Sequence, residues 1–195
     1  MTARIEFFYS FRSPYSYLAA PRAFALPERF DVQILFRGVI PMAMRGQAVP
    51  RAKRLHTLRD AAREATRLGM PFGRIHDPIG RGAIRCLLVA EQALAVGRER
   101  EFVLEAGRAI WSEATDVSRD PGLRVVCERA GLSWDDCAVA IDNELLLTRV
   151  QANTEALVRL GHWGVPVFVF ETEMFWGQDR IGDLESTLQR VGLDR

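Results

Sequence analysis

Strand-favouring residues stand only at the two ends of this 195-residue chain, and what lies between them is patterned as helix. Residues 5–11, Ile-Glu-Phe-Phe-Tyr-Ser-Phe, are rich in the aromatic and β-branched side chains that suit a packed, pleated strand. Residues 30–36 alternate, with Val32, Ile34 and Phe36 apolar between polar neighbours. The next strand signals come at 164–170, Gly-Val-Pro-Val-Phe-Val-Phe, and at 174–180, Met-Phe-Trp-Gly-Gln-Asp-Arg. About 110 residues of mostly helical pattern separate the two pairs. The simplest solution is one small sheet assembled from both termini and interrupted by a helical insertion. That is an α/β fold, with 1–40 and 161–195 forming the sheet domain and 41–160 the helical insertion.

The first strand runs into a tight polar turn and then a helix over 15–26, ending near Pro27. A β-α-β unit of this size implies that the first two strands pair in parallel. Residues 38–50 read as loop. From 51 to 68 the residues are charged and helix-tolerant, with Leu55, Leu58, Ala62, Ala65 and Leu68 close to helical spacing. Residues 70–82, rich in Gly and Pro, read as an ordered connection, followed by amphipathic helices at 84–96 and 101–111. Asp120-Pro121 reads as N-cap and first helical residue of a helix reaching Ala130, and Ser133-Trp134-Asp135-Asp136 as a capping box with Asp in place of Glu. A longer helix over 142–160 closes at Gly161, and a last one spans 181–191.

Composition excludes several functions. A net charge of +1, with basic residues scattered among acidic ones, argues against a dedicated nucleic-acid surface. No apolar run approaches the roughly 20 residues needed to span a bilayer, and no charged leader precedes a hydrophobic stretch; a soluble, cytoplasmic protein is expected. Cys86, Cys127 and Cys137 are odd in number and lack C-x-x-C spacing, so neither a disulfide framework nor a metal site is suggested. Buried structural thiols are expected instead.

Ser13 falls where the first turn becomes a helix, since Pro14 suits a helix's first position. Unpaired N–H groups and the positive end of the helix dipole would favour an anion beside it. Taken alone, Ser13 reads first as a plain N-cap. A serine nucleophile has little support, because His56, His76 and His162 stand in no triad-like context.

Ser13-Pro14-Tyr15-Ser16-Tyr17, Ala152-Asn153-Thr154-Glu155, Gly164-Val165-Pro166 and Phe175-Trp176-Gly177-Gln178-Asp179-Arg180 together resemble the 2-hydroxychromene-2-carboxylate isomerases and the kappa-class glutathione transferases. The resemblance covers nearly the whole chain. It implies a thioredoxin-like fold with a large all-helical insertion, a homodimer, and a cis peptide at Val165-Pro166 facing the Ser13 turn. It also implies glutathione as cofactor, docked through its cysteinyl backbone on the N–H and C=O of Val165 beside Pro166. Thioredoxin-like oxidoreductases carry their redox pair at this turn; Ser13-Pro14-Tyr15-Ser16 supplies no thiol, so dithiol exchange there is excluded.

A hydrogen bond from Ser13 to a charged sulfur is worth roughly 1.5–3 kcal/mol and a helix N-terminus roughly 0.3–2 kcal/mol, at about 1.36 kcal/mol per pKa unit. Together they lower a thiol pKa of about 8.5 by roughly 1.5–3, enough to favour thiolate near neutrality. The resemblance further assigns Gln178 and Asp179 to the γ-glutamyl end, with Asp179 for the ammonium and Gln178 for orientation; Asp179 as a plain helix cap stays open. Trp176 covers the site or packs the core. The resembled isomerases carry a Lys-Ala-Thr-Gly-Asn segment after the second strand, where this chain has Ala43 and Gln47 in the Lys and Asn places. Substrate binding is therefore assigned to Arg45, Gln47 and Arg54, with Arg51 and Lys53 nearby and Arg12 and Arg37 as further candidates. The implied activity is a glutathione-dependent isomerase of an aromatic or unsaturated carboxylic acid. A kappa-like transferase and a non-catalytic glutathione- or peptide-binding protein are the alternatives.

Overall fold

In the computed structural model, which describes residues 2–47 and 49–195, a four-stranded sheet does form from the two ends of the chain. Its strands are β1 (Ala3–Tyr9), β2 (Val32–Gly38), β3 (Val167–Phe170) and β4 (Glu173–Trp176), in the order β2-β1-β3-β4. β1 pairs with β2 in parallel, Ile5 opposite Ile34 and Phe7 opposite Phe36, as the β-α-β unit requires. β3 and β4 run antiparallel, with Phe7 opposite Phe168.

The pleat sends alternate side chains to opposite faces, and both faces are covered. On one, Ile5, Phe7 and Tyr9 are fully buried, and Phe7 stacks on Phe168 with ring centroids 4.7 Å apart. Burying a side chain such as Phe7 stabilises the fold by roughly 1.5–3 kcal/mol. Tyr9 continues through Phe11 to Phe102 in the helical region, so one core runs through the sheet and the helices. On the other face, Phe8, Val167 and Val169 close over Leu157.

Eight helices complete the fold among the described residues: α1 (Pro14–Arg29), α2 (Arg51–Arg67), α3 (Arg81–Ala95), α4 (Glu99–Ser112), α5 (Asp120–Arg129), α6 (Trp134–Ile141), α7 (Glu144–Arg159) and α8 (Ile181–Arg190). Leu157 belongs to α7, so this helix, although inside 41–160, seals the second face of the sheet. None of these helices is long and apolar enough to cross a membrane. Cys86, Cys127 and Cys137 are buried and free, as expected of structural thiols.

Several boundaries differ from expectation. α1 continues past Pro27 to Arg29, with Pro21 also inside it, because Leu18, Ala19, Ala23, Phe24 and Leu26 form a buried stripe and the Phe30 N–H closes the last turn on the Leu26 carbonyl at 2.9 Å. α2 buries only part of the expected stripe: Ala65 is buried and Leu68 packs against the core, but Ala62 is exposed. Ala61 and Ala65 are its buried residues, while Leu55 and Leu58 are 46% and 36% exposed. Two alanines one turn apart let α2 come close to α1, which rotates its leucines outward. Asp120 lies inside α5 rather than capping it, its carboxylate taken by Arg85. The cap of α7 is Asn143, whose Oδ1 accepts from the N–H of Leu145 at 2.9 Å and of Leu146 at 3.3 Å. Ser133 caps α6 as the sequence indicates, accepting from Asp136 N–H at 3.4 Å.

Candidate active site

The turn after β1 is built on serine. Ser13 N–H donates to the Ser10 carbonyl at 2.9 Å, and Pro14 begins α1 at a position where a missing N–H costs nothing. Ser13 Oγ accepts from Ser16 N–H at 3.1 Å, so it is an N-cap. It also reaches across the sheet edge and donates to the Val165 carbonyl, again at 3.1 Å. The cap and the far loop are thereby joined, and Val165-Pro166 is cis.

This corrects one expectation. The Val165 carbonyl is occupied by Ser13 rather than open; the Val165 N–H has no partner among the described residues. The Pro166 carbonyl accepts from Gly177 N–H at 3.0 Å, tying the end of β4 to the same loop. Residue 177 favours glycine, because its φ of 118° is one that other residues adopt only under strain.

These residues open onto a cleft of about 920 Å³ between the sheet edge and α2. Of the residues assigned from sequence, Ser13, Val165, Pro166, Trp176, Gln178, Asp179, Arg45 and Arg54 line it. Gln47 does not; it is exposed on the loop after β2, its N–H turned to the Met42 carbonyl.

Their environments differ from what the sequence suggested. Gln178 is buried and its side chain is fully engaged, Oε1 accepting from Arg22 Nη2 at 2.5 Å and Nε2 donating to Glu64 at 3.3 Å. It locks the turn to α1 and α2. Asp179 caps no helix N–H by its side chain; its carboxylate is 61% exposed at the cleft rim, 3.5 Å from Arg180. Trp176 is half-exposed and forms cleft wall rather than core, with the His162 ring 4.6 Å and the Trp163 ring 5.8 Å away.

Charge is separated along the cleft rather than across it, because Lys53, Arg54, Asp60 and Glu64 all stand on α2. The acidic side also holds Arg67 and Arg180, paired with Glu64 and Asp179. On one side are Asp60, Glu64 and Asp179. On the other are Arg45, Lys53 and Arg54, none within ion-pair reach of a carboxylate among the described residues. Arg45 is held by backbone, Nε donating to the Ile40 carbonyl at 3.0 Å and Nη2 to the Trp163 carbonyl at 2.7 Å. Burial draws its pKa down. Lys53 Nζ sits over the Trp163 ring, 5.2 Å from its centroid. Arg12 is matched, forming two bonds of 2.7 and 2.8 Å with Asp77. Arg37 pairs with Glu6 at 2.8 Å, outside the cleft.

Sequence reasoning missed several cleft residues. Tyr15 donates from its hydroxyl to Asp60 at 2.6 Å, and burial together with that bond pushes the phenol pKa up, keeping it protonated. Its position two residues after Ser13 is the one signal that could have drawn attention to it. Trp163 and Trp111 also line the cleft, Trp111 donating to the Phe11 carbonyl at 3.2 Å. Ser10 Oγ is buried beside them without a partner. The histidines lie elsewhere: His162 bonds to Gly164 and His76 sits 3.3 Å from Asp116. Among the described residues no cysteine lines the cleft.

Chemically, the turn offers a hydroxyl proton at a helix N-terminus, an unpartnered N–H at Val165, an aromatic wall and uncompensated positive charge. Comparison with known proteins agrees with the fold. Residues 4–189 match the family model described as a DSBA-like thioredoxin domain. A 2-hydroxychromene-2-carboxylate isomerase of Pseudomonas putida is 27% identical over 96% of this chain and 95% of its own length. One of the same name from Sphingobium xenophagum is 28% identical over 96% of this chain and 99% of its own. Among solved structures, a 2-hydroxychromene-2-carboxylate isomerase superposes with a TM-score of 0.81 at 22% identity, covering 96% of this chain and 95% of that one. A cytosolic disulfide reductase, DsbM, of Pseudomonas aeruginosa superposes with a TM-score of 0.70 at 20% identity, covering 95% and 98%.

Proposed function

The chain belongs to the DSBA-like thioredoxin domain family, and from that premise we propose that it is a glutathione-dependent isomerase of an aromatic or unsaturated carboxylic acid, similar to 2-hydroxychromene-2-carboxylate isomerase. The observation that carries the reading is the Ser13 hydroxyl, held at the N-terminus of α1 and bonded to the Val165 carbonyl. A tripeptide docking as an added strand would offer its cysteinyl N–H to that carbonyl and accept from the Val165 N–H. The Ser13 proton is then released from Val165 and turns to the sulfur. Docking and thiolate stabilisation are thereby coupled, because one hydroxyl proton serves first the empty and then the occupied site.

The thiolate adds to an electrophilic carbon of the ring-opened acid. The double bond of the acceptor becomes a single bond, rotation follows, and expulsion of the thiolate restores the double bond in the other geometry. Glutathione is regenerated, so its net consumption is zero. Asp179, exposed at the rim and capping nothing, meets the γ-glutamyl ammonium by exchanging its solvent-exposed pairing with Arg180, while Gln178 acts by fixing the turn that carries it. Dithiol exchange is not proposed, because Ser13 and Ser16 occupy the turn and the three cysteines are buried away from it. A homodimer and a cytoplasmic location are part of the same proposal.

The test is conversion of 2-hydroxychromene-2-carboxylate with and without reduced glutathione, with free thiol counted before and after. Turnover that requires glutathione and leaves the thiol count unchanged supports the isomerase. Stoichiometric thiol loss would make the protein a transferase instead, and turnover without glutathione would refute the mechanism.

A further inference from the structure

We infer that Arg45 is the carboxylate clamp for the second substrate and that Thr154 positions it, a deepening of the isomerase reading. Two backbone carbonyls from different loops hold the guanidinium: Ile40 after β2 and Trp163 before β3. A guanidinium carries five N–H donors, and these bonds use one on Nε and one on Nη2. The remaining donors belong to a half-buried, uncompensated charge on the cleft wall.

A cation withdrawn from water without a counter-ion is costly unless an anion arrives. The planar fork suits a carboxylate. Trp163, whose carbonyl holds Arg45, presents its ring to the same cleft and meets the Trp176 ring edge-on at 5.8 Å. An acid with a flat, unsaturated body is what a clamp beside such a wall selects.

The anchor of this arrangement lies on α7. Thr154 Oγ1 accepts from Ile40 N–H at 3.0 Å and donates to the Val150 carbonyl at 2.8 Å. Ile40 is thus gripped at its N–H by Thr154 while its carbonyl grips Arg45. Thr154 is 8% exposed and acts only through Ile40.

The experiment is calorimetric titration, without glutathione, of trans-cinnamate and of its neutral isostere trans-cinnamamide. Cinnamate is expected to bind at least tenfold more tightly to the wild type. Arg45→Gln should abolish that preference, Arg45→Lys should reduce it because the fork is lost, and Arg59→Gln, an exposed charge on α2 outside the cleft, should leave it intact. Thr154→Val should lower cinnamate affinity about threefold and leave cinnamamide affinity unchanged, a split that general destabilisation would not produce. If Arg45→Gln does not fold, Arg45→Lys decides. Absence of cinnamate binding, equal binding of both probes, a preference that survives in Arg45→Gln, or one that keeps its wild-type size in Arg45→Lys overturns the clamp; a parallel loss of both affinities in Thr154→Val overturns its positioning role. Glutathione is titrated separately: its failure to bind would remove the thiolate chemistry while leaving the acid preference standing.

Discussion

Replacing Ser13 with alanine separates its capping from its proposed chemistry. Folding loses the bond from Oγ to Ser16 N–H at 3.1 Å, for which N-cap substitutions cost about 1 kcal/mol. It also loses the bond to the Val165 carbonyl, which reaches the open cleft and can be rehydrated. In a domain of this size about 1 kcal/mol lowers the melting temperature by roughly 2–4 °C, so the variant stays folded. The effect on bound glutathione should be larger. Removing a hydrogen bond to a charged sulfur forfeits roughly 1.5–3 kcal/mol, which at about 1.36 kcal/mol per pKa unit raises the bound thiol pKa by about 1–2. The helix N-terminus remains, so the variant should still hold the thiol slightly below its free value. The assay is the ultraviolet absorbance of the thiolate, followed against pH with protein in excess over glutathione. Wild-type protein should show thiolate at neutral pH, and Ser13→Ala should need a pH higher by about 1–2 to reach the same fraction. Identical titration curves, with both proteins shown by calorimetry to bind glutathione, would refute thiolate stabilisation by Ser13.

Gln178→Leu should cost roughly 1–3 kcal/mol in urea unfolding, because Arg22, whose Nε already lacks a partner, would lose the Gln178 Oε1 acceptor as well. Glu91→Gln should stabilise the protein at neutral pH. Burial raises the Glu91 carboxyl pKa, opposed by the hydrogen bond from Asn153 at 3.0 Å and by Arg149 and Arg37. A carboxyl whose folded pKa is raised gives stability that is fully present below its unfolded pKa and is lost as pH rises through the folded value. The gain from Glu91→Gln should therefore vanish on acidification, and thermal melts from acid to neutral pH that show a constant difference would contradict it.

The fold was legible because its governing pattern is coarse: strand-like runs at the two ends can bury a face only by meeting, and the aromatic residues that would do so are the ones that stack, Phe7 on Phe168. Where the sequence misled, packing against a neighbour overrode a local signal. Pro27 suggested an end to α1, yet the buried stripe carried the helix to Arg29. The apolar spacing of α2 suggested a face with Leu55, Leu58 and Ala65, yet only Ala65 of these is buried, together with Ala61. The two errors differ in cause: a proline read as a stop in the first, and in the second an apolar periodicity that does not report how closely two helices approach.

The site was legible to a different degree on its two sides. Ser13 was legible as a cap, and Val165, Pro166, Trp176, Gln178 and Asp179 through the motifs that carry the family resemblance, which the structure shows to be a cis X-Pro step and a glycine with φ of 118° leading into a turn. The opposite wall has no such grammar. Arg45 is one of many arginines, and what distinguishes it is that carbonyls 5 and 118 positions away both accept from it. Gln47, two residues on, is as plausible by residue type and stands outside the cleft. On the proposed reading, selection of the second substrate rests on contacts that a chain read in order does not display.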